Sequence, residues 1–233
     1  MVDWPHKLGL ALFAIAIGAC STSYPNRPEA DFRWKDVAKT DIDRVAEIHL
    51  QESFVHLKTL MEKLYRRNPK EWKKNGEPAA ENVVARVFDR HDFAFRELDG
   101  QRGTDAIVLA FKEDYTGDRV AAYIVGLATM ILSAYGDKTE FFALDDLDPQ
   151  KLYNSARNVE IAVWRLSNAR NSHNELYLVS NELDGPVKNL SFEREFGKII
   201  AELDTMARII STQNNRTIVR VIQNVATAVF LPI

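Results

Sequence analysis

An all-α fold, a single antiparallel bundle of about five to seven helices, is predicted by three observations. Apolar residues recur at 4-3-4-3 spacing in four separate segments, which lays one stripe along a helix each time. Glycine and proline are scarce, with 10 and 8 in 233 residues, below what a many-turned β-sandwich carries. Strand-like alternation is nowhere sustained beyond a few residues.

The elements follow in chain order from Asp36, where polar composition gives way to periodicity. Leu50, Phe54, Leu57, Met61 and Leu64 form the first stripe. Thr40 is the expected N-cap, and Arg66 and Arg67 complement the dipole at the far end. Pro69 disfavours α geometry at Asn68, so the helix stops there after about 28 residues and roughly 40 Å. Asn68, Pro69 and Glu71 are the cap, N1 proline and N3 acid of a short second helix. Asn82 to Phe95 reads as helix. Gly100 to Thr104 reads as a loop, and Thr104 or Asp105 as the cap of a short helix through Phe111. Gly117-Asp118 opens Val120–Tyr135, sixteen residues without charge, too short for a membrane span and suited to a buried central helix. Ala122, Gly126, Ala128 and Ala134 would let neighbours approach closely.

An acidic loop, Asp137 to Asp148, surrounds Phe141, Phe142 and Leu144. Asp148-Pro149 is again a cap before an N1 proline. Leu152, Ala156, Val159, Val163 and Leu166 form the second full stripe. Asn168 to Asn174 is polar, Leu176 to Leu183 reads as one more short helix, and Gly185-Pro186 breaks it. Phe192, Phe196, Ile199, Leu203, Met206 and Ile210 form the third stripe, Asn214-Asn215 a break, and Ile218, Ile222, Val225 and Val229 the fourth. No linker divides residues 36–233, so they read as one domain.

Composition narrows the function classes. The chain is 46% hydrophobic and 27% charged, which excludes a disordered or fibrous protein. Its 30 Lys+Arg and 33 Asp+Glu leave a net charge of −3, giving no global field for nucleic acid. One cysteine rules out an internal disulfide framework and a Cys-rich metal site.

The first twenty residues read as an address. Leu8 to Ala19 is a twelve-residue uncharged run preceded by Lys7, the length of a signal h-region. It ends in Ile17-Gly18-Ala19-Cys20, and this resembles the bacterial lipoprotein signal: an aliphatic residue, two small residues and the cysteine that receives lipid. The resemblance covers only the leader and Cys20. It implies removal of residues 1–19, acylation of the Cys20 sulfur, and a cell-envelope location. Ser21, standing where an Asp would retain the protein at the inner membrane, points to the outer membrane facing the periplasm. Residues 20–35, with Pro25 and Pro28, read as a lipidated flexible linker. The other reading of the leader is an N-terminal helix whose Cys20 packs as a small hydrophobe.

Five groups of residues carry candidate chemistry. His49, Glu52 and His56 share a helix face, but the histidines lie two turns apart, about 10.5 Å, where metal pairs sit one turn apart. His91 and Asp92 are neighbours that point about 100° apart on a helix, poorly placed as an acid–base pair. Glu97 to Asp105, with Arg102 and two glycines, lacks the preceding strand and the Lys-Ser/Thr of a phosphate cradle. Asp145, Asp146 and Asp148 lack the spacing of a calcium loop. Arg66, Arg67, Lys70, Lys73 and Lys74 gather around Trp72 as a basic patch fit for anionic headgroups or an acidic protein.

No catalytic site is assigned, and no metal or cofactor is expected. The expected function is that of a lipid-anchored envelope protein with a helical binding or adaptor domain. Its partners would be the membrane, through Cys20, and other envelope proteins, with no nucleic acid. A helical carrier or sensor of an apolar ligand held around Val120–Tyr135 is the second reading. An envelope enzyme acting on cell wall or lipid is the third.

Overall fold

The computed structural model describes residues 39–142, 146–182 and 188–233. Among them are seven α-helices: α1 (Asp41–Arg67), α2 (Pro69–Trp72), α3 (Ala80–Phe88), α4 (Gly103–Leu109), α5 (Arg119–Ala134), α6 (Pro149–Asn168) and α7 (Ser191–Asn214). Two isolated bridges, Arg170 with Leu176 and Glu182 with Asn189, are the β pairings found among the described residues. The fold is all-α, and none of the described helices is long and apolar enough to cross a membrane.

Local signals start α1, α5 and α6 where the sequence places them, while Leu190 before α7 supplies no side-chain cap. Thr40 and Asp43 form a reciprocal capping box, with the Asp43 amide donating to the Thr40 hydroxyl at 3.2 Å and the Thr40 amide to the Asp43 carboxylate at 2.6 Å. Asp148 accepts from the Gln150 amide at 2.8 Å, with Pro149 at the first helical position of α6. Asp118 accepts from the Val120 and Ala121 amides at 2.9 and 3.0 Å and so opens α5. At the end of α7, Asn215 takes the left-handed conformation, φ 50°.

Four helices make the bundle. Helix α1 packs on α5 and α7, and α6 packs on the same two. Lys63, His56 and His49 of α1 meet Ser191, Glu195 and Glu202 of α7 in turn, so these helices run antiparallel. Tyr65 near the end of α1 meets Asp118 at the head of α5, again antiparallel. One core joins them, and Leu57, Leu60, Leu64, Ile124, Leu127, Val159, Ile199 and Leu203 are all buried in it. Helix α5 is buried on nearly all sides from Val120 to Leu132, as its uncharged composition requires. Gly126 is where α4 crosses it. A β-carbon there would stand 2.7 Å from the Ile107 nitrogen and 2.9 Å from the Gly103 oxygen.

Five local expectations are corrected. Asn68 does not cap α2, and Glu71 does not reach back to it. Both side chains are drawn to remote backbone, Asn68 to Val179 and Glu71 to the Arg119 amide at 2.8 Å. Helix α3 ends at Phe88 rather than running to Phe95. The Asp92 carboxylate takes the Ala94 amide at 2.9 Å and Arg86 at 2.8 Å, forming a turn that competes with helix. Neither Thr104 nor Asp105 caps α4. The Gly103 amide donates instead to the Thr129 hydroxyl of α5 at 2.7 Å. Leu176 to Glu182 is not helical, because its backbone pairs with Ala169, Asn68 and Asn189. Leu183 and Gly185-Pro186 lie outside the described residues, as do Leu144 and the leader.

The largest correction is the fourth stripe. Ile218, Ile222, Val225 and Val229 do not lie on a helix. After Asn215 the chain is non-helical, turns at residues 225–227 and folds back. Nine of its residues, Thr217, Ile218, Val219, Val221, Ile222, Val225, Thr227, Val229 and Ile233, are β-branched. Such side chains lose χ1 freedom in a helix, and side chains of α6 take the backbone groups of Val219, Leu231 and Pro232 instead.

Candidate functional site

Cys20 lies outside the described residues. The histidines of α1 are placed, and each has its own partner. His49 Nδ1 is hydrogen-bonded to Glu202, and His56 Nδ1 to Glu195 at 2.9 Å, while Glu52 is exposed. The trio is divided between two cross-helix contacts, and no group of three or more metal-ligating residues occurs among the described residues.

His91 and Asp92 are not brought together. Asp92 turns to Ala94 and Arg86, whose hydrogen bonds hold its carboxyl below the usual range. His91, at φ 50°, lays its ring edge-on to Phe54, 6.4 Å between centroids. The chain turns at Asp99 and Gly100, both at positive φ, after a short 3-10 segment at Arg96–Leu98; residues 103–105 already belong to α4, and Arg102 pairs with Asp137 at 3.3 Å. Of the acidic trio, Asp145 is outside the described residues. Asp146 pairs with Arg216 at 2.8 Å, and Asp148 caps α6. The basic patch is largely matched internally: Arg67 with Glu182 at 3.2 Å, Lys74 with Glu71 at 2.8 Å, Arg66 with Glu62 at 3.9 Å, and Lys73 over the Trp72 ring.

Two built features remain. One is an apolar groove of 300 Å³ between α1 and α3, walled by Leu50, Phe54, Val55 and Phe88. Phe54 and Phe88 meet edge to face at 6.1 Å, and Lys58 and Asp89 close the rim with a 2.6 Å ion pair.

The other is a ladder of side-chain amides on α6. Gln150, Asn154 and Asn158 sit at i, i+4 and i+8, hence on one face. Gln150 accepts from the Val219 amide at 2.8 Å and donates to the Val219 carbonyl at 3.1 Å. Asn158 does the same with Leu231, at 2.7 and 2.8 Å. Between them Asn154 donates to the Pro232 carbonyl at 2.8 Å and accepts from Gln150 at 2.8 Å. Asn158 is fully buried and Asn154 nearly so, and burial of an amide demands such partners. Asn68 pairs with Val179 in the same two-bond way, at 2.8 and 2.9 Å.

Chemically, an amide that both accepts from the N–H and donates to the C=O of one residue imitates a neighbouring β-strand. It reads extended backbone and ignores the side chain. Sequence reasoning followed the apolar stripe of α6 and passed over these residues. The available signal was three amides at helical spacing beside the stripe. Comparison with protein-family models, curated proteins and solved structures found no match for this chain.

Proposed function

We propose that this chain is a lipid-anchored protein of the bacterial cell envelope whose helical domain works by binding other envelope proteins. The observation that carries the reading is Ile17-Gly18-Ala19-Cys20 at the end of the uncharged run, with the one cysteine of the sequence at the acceptor position. Two or three acyl chains make a stable anchor, each buried CH₂ adding about 0.8 kcal/mol. Anchoring confines a domain to a surface and raises its effective concentration toward partners on that surface. His49, His56, Asp92 and Asp148 are engaged in cross-helix pairs, a turn and a helix cap, which favours binding over chemistry.

Mass analysis of the mature N-terminal peptide tests the anchor. The expected product begins at Cys20 and carries acyl chains, and an unprocessed, unacylated chain overturns the reading. Crosslinking in intact cells tests the binding role. Specific envelope proteins should be captured by the native chain and lost with Cys20→Ala, and capture no greater than in that control counts against it.

A further inference from the structure

The amide ladder is occupied by the chain's own C-terminal tail, residues 216–233. The tail is held mainly through its backbone, and its apolar side chains are poorly used. Ile222 is 97% exposed, Val229 68% and Val219 67%, while Ile218, Phe230 and Ile233 are its apolar contacts with the core. A segment that buries few apolar side chains opens at low free-energy cost compared with a core helix.

The resident also underfills its seat. Where the tail turns, Val225 stands beside Trp164 between two spaces of 380 and 290 Å³. Val163, Phe196 and Ile200 line the first, and Phe111 and Tyr177 the second. Beside these apolar and aromatic walls stand Glu160, Ser167, Asn168 and Glu193 in the first space and Arg165 and Arg170 in the second, and both spaces have room for a side chain larger than valine.

We propose that the outer face of α6 is a backbone-reading groove for an extended apolar peptide of a partner protein, held shut by the chain's own tail. Gln150, Asn154 and Asn158 bind the peptide backbone. The spaces beside Trp164 select a bulky apolar side chain, the division of labour seen wherever an added strand is recognised. A second copy's tail would carry the same valine and leave the same spaces empty, so the pockets favour a foreign peptide over tail exchange. The inference rests on the binding role proposed above and not on the lipid. Failure of Cys20 acylation would leave it standing, and failure of peptide binding would leave the anchor standing.

The test uses the full chain in detergent and a fluorescein-labelled synthetic peptide with the sequence of residues 216–233. Leu231→Pro in the protein removes the N–H that Asn158 receives and unseats the resident. The peptide should then bind about tenfold more tightly than to the unaltered chain, where the tethered tail competes at high effective concentration. Adding Asn158→Leu should abolish the gain, and a peptide with phenylalanine in place of Val225 should bind several-fold more tightly. No binding to Leu231→Pro, or binding indifferent to Asn158→Leu, overturns the proposal. A concentration-dependent dimer of the unaltered chain that Asn158→Leu dissolves also overturns it, assigning the groove to a second copy. Native-state hydrogen exchange needs no variant. The Val219 and Leu231 amides should exchange about a hundredfold faster than those of α6. Exchange of both only on global unfolding makes the tail a fixed part of the domain and ends the proposal.

Discussion

The Asp118 carboxylate joins two helices. Its Oδ1 caps the Val120 and Ala121 amides, and its Oδ2 accepts from the buried Tyr65 hydroxyl at 2.7 Å. Glu71 takes the Arg119 amide, so the first three N–H groups of α5 all end on carboxylates, which also suits the positive end of the helix dipole. Burial, then the charge and hydrogen bond of Asp118, push the Tyr65 phenol far above its usual range, so it stays a donor. Tyr65→Phe removes a hydrogen bond to a charged group, and urea denaturation should show a loss of about 2 kcal/mol. Two glycines give an opposite pair. Gly126→Ala drives a methyl into the backbone of α4 and should cost about 2–3 kcal/mol, since backbone cannot step aside. Gly197→Ala in α7 meets nothing within 4 Å and should stabilise by about 0.5–1 kcal/mol through helix propensity.

Two segments with the same apolar spacing behave differently as elements. In α7 every residue of the predicted stripe, from Phe192 to Ile210, is buried. In the tail the matching stripe is scattered, and Ile222 is in solvent. Spacing sets which residues would share a face if a helix formed; it does not decide that a helix forms. Six of the 24 residues of α7 are β-branched, against nine of the 18 in the tail, and such residues lose rotamer freedom in a helix. The consequence is measurable. Ile210→Ala should cost about 2–4 kcal/mol as a cavity. Ile222→Asn should change stability by no more than about 0.5 kcal/mol, and a core-sized loss there would mean the tail packs as the stripe first implied. Likewise α3 was readable up to Phe88. The Asp92 turn that ends it depends on Arg86 lying alongside, which propensity does not reveal.

Across the whole molecule the seam between α1 and α7 carries the long-range polar contacts His49–Glu202, His56–Glu195 and Lys63–Ser191. Burial raises the Glu195 carboxyl, but the hydrogen bonds and charges of Lys198 and His56 outweigh it, and the net shift is downward. Lys63 also faces it from α1. A carboxyl lowered in the folded state stabilises fully above its unfolded value, near about pH 4.3, and loses that contribution as pH falls through the lower folded value. Glu195→Gln should therefore weaken the protein at pH 7. The difference from the unaltered chain should shrink in acid well below the unfolded value, where the carboxylate is protonated. Denaturation curves at neutral and acid pH decide it, and a gap that is constant or widens in acid contradicts the assignment.

How much was legible depends on how far apart the partners lie in the chain. Thr40 with Asp43, Asp118 with Ala121, and Asp148 with Gln150 lie within three residues. The starts of α1, α5 and α6 could therefore be read directly, as could the faces of α1, α6 and α7 that point inward. Such caps and stripes are local, and the sequence by itself determined an all-α fold with those helices. Only the tertiary structure decided that Asn68 serves Val179, that Glu71 serves α5, and that Gln150 and Asn158 hold the tail. An amide or carboxylate satisfies its hydrogen bonds wherever the fold presents a backbone group. Residues more than forty positions apart become partners only after the helices have packed.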